Sequence, residues 1–175
     1  MDHDYKSISP YELDMSRIVR TIGREWMLIT AEAGGVTNAM TASWGFIGEL
    51  WGKPAAACFI RPQRFTFHLA NESEYFSLAF FGDERRRELA YFGSHSGRDG
   101  DKAAACDMRY RHIEAGGVSV PFPDGARTVL ICRKMYADDL RAECFTDKTI
   151  MDSVYPERDL HRMFIGEIAA ALVRV

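Results

Sequence analysis

The sequence predicts a mainly β fold, an antiparallel β-barrel with short helices plugging its ends. Three observations lead there. Segments rich in β-branched and aromatic residues outnumber helical ones. The helical segments are short. Their order does not alternate strand with helix, which argues against a doubly wound parallel sheet and favours a sheet closed on itself. The 175 residues show no break in composition, so 1–175 is expected to be one domain. That length can bury a core without disulfide or metal staples.

The elements follow in order. Ser9-Pro10-Tyr11-Glu12 carries a capping box, with Ser at the cap, Pro at the first helical position and Glu three residues on. Tyr11, Met15, Ile18 and Ile22 then share a helical face, and Gly23 is expected to end the helix. A strand over 26–31, a turn at Gly34-Gly35 and a return strand over 36–43 make a hairpin. A short apolar strand covers 56–60 and stops at Arg61-Pro62, because Pro has no N–H for the ladder. A helix is expected over 64–71 and an aromatic-rich strand over 75–81. Asp83 is expected to cap a helix running to Phe92, with Gly93 as its stop. A polar loop follows over 94–102. Residues 110–125 read as irregular, with two prolines and the Gly116-Gly117 pair. A buried strand over 127–136 and a long final strand over 163–175 complete the chain.

Composition narrows the function. Apolar residues make up 47% and charged residues 27%, an ordinary soluble profile. A net charge of −3 gives no bulk attraction for nucleic acid or anionic membranes, although a ligand site needs only a few charges. No apolar run approaches the roughly 20 residues of a membrane helix. The polar stretch from Met1 to Ser9 lacks a signal-peptide core. Cys58, Cys106, Cys132 and Cys144 form no CxxC and fit no zinc spacing. Cys58 and Cys132 lie in apolar runs and read as buried small hydrophobes, so a reducing cytoplasm is the expected compartment.

Motifs for several chemistries are missing. There is no GxGxxG after a strand, no Walker A loop, no GxSxG elbow and no HExxH. The histidines are scattered at 3, 68, 95, 112 and 161. No protein nucleophile and no metal site is expected.

Three segments carry chemistry of another kind. Asn38-Ala-Met-Thr-Ala-Ser-Trp-Gly45 places hydroxyls and small side chains at a strand end, where backbone can approach a flat ligand. Phe59-Ile-Arg-Pro-Gln-Arg-Phe-Thr66 sets Arg61 and Arg64 beside a helix start, and both arginine forks and helix N-termini suit phosphate. Ser94-His-Ser-Gly-Arg-Asp-Gly-Asp-Lys102 offers hydroxyls, glycines for a backbone nest, Arg98 and Lys102. Each has a plain alternative: a strand running into a loop, a structural ion pair, a solvated loop.

Together and in this order, the segments resemble the flavin reductase-like family of FMN-binding split barrels, which includes flavoredoxin. The resemblance runs from Trp26-Met-Leu-Ile-Thr30 through His161-Arg-Met-Phe-Ile-Gly-Glu-Ile168. It implies an antiparallel Greek-key split barrel holding FMN. It implies that Asn38, Met40, Thr41, Ala42, Ser43 and Trp44 lie along the isoalloxazine, largely through backbone. Arg61, Arg64 and Thr66 would face the ribityl-phosphate side. Ser94, Ser96, Gly97, Arg98 and Lys102 would form the phosphate loop. It further implies a homodimer with flavin near the subunit interface, and an oxidoreductase that takes a hydride from NADH or NADPH onto the flavin. The flavin carries the chemistry, so no catalytic side chain is expected. An FMN carrier or flavin sensor that does not turn over nicotinamide is the alternative. A barrel that has exchanged FMN for another planar anion is a third. Two features stay outside these roles: His161 is expected to pack or lie at the surface rather than approach the flavin, and Arg85-Arg86-Arg87 to form a solvated helix face rather than a nicotinamide-phosphate docking site.

Overall fold

The computed structural model describes residues 4–175; Met1 to His3, the start of the polar N-terminal stretch, lie outside the described residues. The described residues form ten strands: β1 (Tyr5–Ile8), β2 (Met27–Ala33), β3 (Val36–Ala42), β4 (Gly45–Leu50), β5 (Lys53–Ile60), β6 (Tyr75–Phe80), β7 (Tyr110–Ala115), β8 (Val118–Pro123), β9 (Thr128–Asp139) and β10 (Arg162–Arg174). Eight of them form one antiparallel sheet in the order β3-β2-β6-β9-β10-β5-β4, with β1 added to β10. The path begins at β3 and ends at β4, yet these are consecutive in the chain and joined only by Ser43 and Trp44. The sheet must therefore curl until its two outer strands meet, which is how a twisted sheet manages its edges.

Strand β10 governs the closure. It pairs with β9 along its length, from Arg162 opposite Asp139 to Val173 opposite Thr128. Its first half also pairs with β5 and its second half with β1. Register shifts at Ile165/Gly166 and Ile168/Ala170 let one strand bend to serve both neighbours.

Alternation along the strands makes two cores. Met27, Ile29, Cys58, Ile60, Phe76, Leu78, Leu130 and Phe164 fill the barrel. Leu28, Ala79, Val129 and Ile131 face outward, where Leu89, Phe92, Met108, Val120 and Phe122 cover them. The central strands are thus buried on both faces, and all six residues of β6 are buried. Cys58 and Cys132 are fully buried, and burial pushes both thiols up.

The helices are α1 (Ile18–Arg20), α2 (Phe65–Glu72), α3 (Arg86–Ser94), α4 (Lys102–Ala105) and α5 (Thr149–Val154). Here the structure corrects the expected elements. The capping box at Ser9 and Glu12 forms, but it starts only one 3-10 turn, Pro10–Glu12, because Leu13 is extended. Asp14 then accepts from the Ser16 N–H in a local turn, and helix resumes at α1, which runs into a π-helical turn, Thr21–Glu25. Gly23 lies inside that turn and does not end it. Asp83 does not cap α3: it opens a 3-10 turn, Asp83–Arg85, and α3 continues past Gly93 to Ser94. Residues 110–125 are not irregular. They form the β7–β8 hairpin, whose turn uses Gly116 and Gly117 at φ 58° and 80°. Strands β1 and β4 were not expected at all.

Candidate functional site

The seam where β3 and β4 meet opens into a cleft of about 510 Å³. Met40, Thr41, Ala42, Ser43 and Trp44 line one wall, and Leu89, Ala90, Gly93 and Ser94 of α3 line the other. The walls are tied together: Thr41 Oγ1 donates to the Leu89 carbonyl at 2.5 Å. Strand β3 bonds to β2 alone, so part of its main chain points out of the ladder toward the cleft side. Small side chains leave that backbone accessible. Trp26, Phe59 and His161 close the ends. Trp44 is 44% exposed, and Ala90 and Ser94 are exposed, so one side faces solvent.

A smaller polar pocket of about 150 Å³ continues from the cleft, sharing Met40, Arg64, Gly93 and Ser94 with it. Asn38 Nδ2 donates to Thr66 Oγ1 at 2.7 Å, and both residues are buried. Thr66 sits in the first turn of α2, whose cap residue Arg64 offers no side-chain bond to the opening N–H groups. Gly97 approaches closely: a Cβ there would lie 2.3 Å from Asn38 Oδ1 and 2.7 Å from the Phe65 ring.

Two cations share this pocket. Lys102 is only 4% exposed, and its Nζ donates to the Phe92 carbonyl at 3.3 Å. Arg64 donates to the Gly93 carbonyl at 2.9 Å and to the same Phe92 carbonyl at 3.1 Å. Burial, reinforced by the Arg64 charge, lowers the Lys102 pKa to about 8. Burial also lowers that of Arg64. Both bond carbonyls rather than carboxylates, so among the described residues no carboxylate pairs with either of these neighbouring positive charges. With hydroxyls, an amide and helix N–H groups beside them, they match a phosphate in charge and in donor count.

Arg61 lies at the other end. Its guanidinium pairs with Asp159 at 2.5 Å and donates to the Val154 carbonyl at 2.9 Å. The structural ion pair considered for this arginine is therefore formed, although Arg61 still lines the cleft. His161 is 8% exposed, its Nδ1 lies 2.9 Å from the Tyr155 hydroxyl, and its ring is 4.9 Å from that of Trp44. Burial first, then the Arg61 charge, lowers its pKa to about 4, so it is neutral at pH 7.

Of the fourteen residues expected at the site, thirteen line the cleft or the pocket. Arg98 lines neither. Its guanidinium donates to the Gln63 carbonyl at 2.9 Å and lies 5.4 Å from the Phe65 ring, anchoring the 96–100 loop to the start of α2. Sequence reasoning missed Trp26 and Leu89; for His161 it favoured packing or surface over an approach to the flavin, and the structure places the residue both packed and at the cleft. Trp26 has φ 72° and ψ 169°, a region costly for any residue but Gly. Arg86 holds it there, with the guanidinium 3.2 Å from the ring centroid and a bond to the Arg24 carbonyl at 2.6 Å. The basic run is thus more than a solvated face: Arg86 is bound to Trp26, and Arg85 pairs with Glu88. Among the described residues, no group of three or more His, Cys, Asp or Glu could hold a metal ion, and no helix is long and apolar enough to cross a membrane.

The family described as "Flavin reductase like domain" matches residues 19–174. A search of curated proteins finds no match. Among solved structures, the chain superimposes on an FMN-binding domain of a flavin reductases-like enzyme from Shewanella baltica OS155 (TM-score 0.67, 18% identity, 99% of this chain and 78% of that one). It also matches flavoredoxin from Methanosarcina acetivorans (TM-score 0.63, 20% identity, 84% and 67%). A third is nitrilotriacetate monooxygenase component B from Bacillus cereus (TM-score 0.63, 16% identity, 95% and 80%).

Proposed function

The chain belongs to the flavin reductase-like domain family, and from that premise we propose that it binds FMN in the cleft at the β3–β4 seam and works as an NAD(P)H-dependent flavin oxidoreductase. The observation that carries the reading is the un-neutralised Lys102–Arg64 pair at one end of a flat, solvent-open cleft. Bound FMN would supply the redox chemistry, accepting a hydride equivalent from reduced nicotinamide and passing electrons to an acceptor.

The protein's residues supply position and electrostatics. Lys102 and Arg64 hold the phosphate by charge, while Thr66, Ser96 and the opening N–H groups of α2 complete its bonds. The outward main chain of β3 between Met40 and Ala42 reads the polar edge of the ring system, because small side chains expose it. Trp26 and Leu89 would flank the ring and keep water from its buried side. Neutral His161 adds a polar group without adding charge. The exposed side, bordered by Trp44 and Ala90, leaves room for a second planar molecule to stack. That opening favours a reductase over a sealed electron carrier.

We further propose that the protein works as a homodimer. Phe46, on β4, and Trp51, just past its end, are 69% and 60% exposed, apolar surface suited to a second copy. The experiment for the reading is anaerobic: FMN-loaded protein is mixed with NADPH or NADH and the flavin absorption followed. Prompt bleaching is expected. A flavin band that persists with both donors, yet bleaches with dithionite, would leave an FMN carrier and remove the reductase.

A further inference from the structure

The phosphate pocket has two ends. One opens into the cleft through Met40, Arg64, Gly93 and Ser94. The floor between them is closed, since Asn38, Thr66 and Lys102 are all buried. The other end is a rim bounded by Gln63 at the start of α2 and by Ser94, His95 and Ser96 after α3. Gln63, Ser94 and His95 are exposed, so this rim is the side of the pocket toward solvent.

Arg98 spans that rim. It is exposed and lines no part of the pocket. Its guanidinium crosses from the 96–99 turn to donate to the Gln63 carbonyl at 2.9 Å, and lies 5.4 Å from the centroid of the Phe65 ring. The turn itself is closed by two bonds to Ser96: the Arg98 N–H donates to its Oγ at 3.2 Å and the Asp99 N–H to its carbonyl at 3.2 Å. Both banks are fixed as well. The Gln63 side-chain amide donates to Asp159 at 2.6 Å. Gly97 packs so tightly on Asn38 and Phe65 that a Cβ would meet both below 3 Å.

The charges point the same way. Lys102 and Arg64 form two positive charges at one phosphate position, and a terminal phosphate monoester supplies close to two negative charges at pH 7.5. A phosphate joined onward to a nucleoside carries only one, and its continuation has to leave the pocket. The end toward the cleft is taken by the ribityl chain and the ring. The continuation must cross the rim that Arg98 spans. We infer that Arg98 is a specificity-determining residue: by tying the 96–99 turn to the start of α2 it closes the solvent end of the pocket, so the site takes a flavin that ends in a phosphate, FMN, and turns away FAD, whose adenylate has to pass there. The inference rests on the FMN reading of the cleft and gives a role to an arginine that touches neither cleft nor pocket. One exposed hydrogen bond and one cation–aromatic contact hold the strap, so the discrimination it adds is about tenfold.

Calorimetric titration with FMN, FAD and riboflavin reads the affinities without requiring turnover. The wild type is expected to bind FMN at least about tenfold more tightly than FAD, the scale of one charge-assisted bond. Arg98→Ala is expected to bind FAD about tenfold more tightly than the wild type does. FMN and riboflavin should bind the two proteins alike, because the pocket and the ring site keep their contacts. Equal affinity of the wild type for FMN and FAD overturns the inference. So does an Arg98→Ala variant whose FAD affinity is unchanged, or in which FMN and FAD weaken together, since Arg98 would then only support the loop. Loss of FAD affinity alone in the variant would show the guanidinium bonding the second phosphate, the opposite role. Failure of the FMN reading looks different: the wild type would then take up none of the three flavins.

Discussion

Lys102 allows the phosphate pocket to be tested through pH. In the absence of ligand, burial and the Arg64 charge hold its pKa near 8 instead of 10.5. A bound phosphate dianion favours the charged ammonium and raises that pKa again. FMN should therefore bind best where Lys102 is already protonated, and binding should weaken as pH rises through about 8. The FMN phosphate is itself a dianion above its second pKa of about 6, so it does not titrate in this window. Between pH 7 and pH 9 the protonated fraction of Lys102 falls about tenfold, which corresponds to about 1.4 kcal/mol of binding free energy. Quenching of flavin fluorescence at pH 7, 8 and 9 reads this directly. Riboflavin, which lacks the phosphate, should show no such slope. Lys102→Ala should lose about 1–3 kcal/mol of FMN affinity at pH 7, as for a hydrogen bond to a charged group, and should bind with a flat profile. An FMN affinity that does not change from pH 7 to 9, or a slope equal for riboflavin, would refute the placement of the phosphate beside Lys102.

Other perturbations address neighbouring parts. Gly97→Ala puts a Cβ within 2.3 Å of Asn38 Oδ1, so it should displace Asn38 and weaken FMN binding at least tenfold, checked by the same fluorescence titration. His161 has a folded pKa of about 4 against an ordinary 6.5, so the unfolded chain takes up the proton first. Stability should accordingly fall as pH drops from 6.5 to 4, by about 2–3 kcal/mol from this group, and urea unfolding of His161→Gln should show a shallower acid limb. Trp26 occupies a conformation suited to glycine, so Trp26→Gly should be more stable than Trp26→Ala by about 1 kcal/mol, the reverse of their usual order in a strand or helix. Light scattering should give twice the chain mass; a monomer at every concentration would remove the homodimer.

Much of the barrel was legible because its central strands are locally decisive. The run through β6 and the first half of β9, Thr128 to Cys132, is dominated by apolar residues, many aromatic or β-branched, and the Gly34-Gly35 turn leaves β2 and β3 little choice but a hairpin. What escaped depends on distant partners. Strand β1, Tyr5–Ile8, is half polar and acquires its identity only by pairing with β10 at the far end of the chain. Strand β4 has a mostly exposed pattern and exists because β5 returns beside it. The N-terminal capping box formed, yet Leu13 and the Asp14–Ser16 turn ended that helix after one turn, a competition that apolar spacing cannot reveal. The site followed the same rule. Residues adjacent in sequence, such as Met40 to Trp44, were readable as one wall. Leu89 and His161 join the cleft only because α3 and the start of β10 fold onto it, and Trp26 enters through a strained backbone that no pattern signals. Arg98 illustrates the converse: composition suited it to phosphate, but its reach to the Gln63 carbonyl fixes it outside the pocket.

The most direct test of the central claim is an absorption spectrum of the purified protein after incubation with FMN and removal of the excess, recorded again after anaerobic addition of NADPH and then NADH. Retention of the oxidised-flavin bands near one FMN per chain, followed by bleaching with at least one donor, is the expected result. A protein that retains no FMN at all, while its melting curve shows an intact fold, would contradict the assignment of the seam cleft as a flavin site.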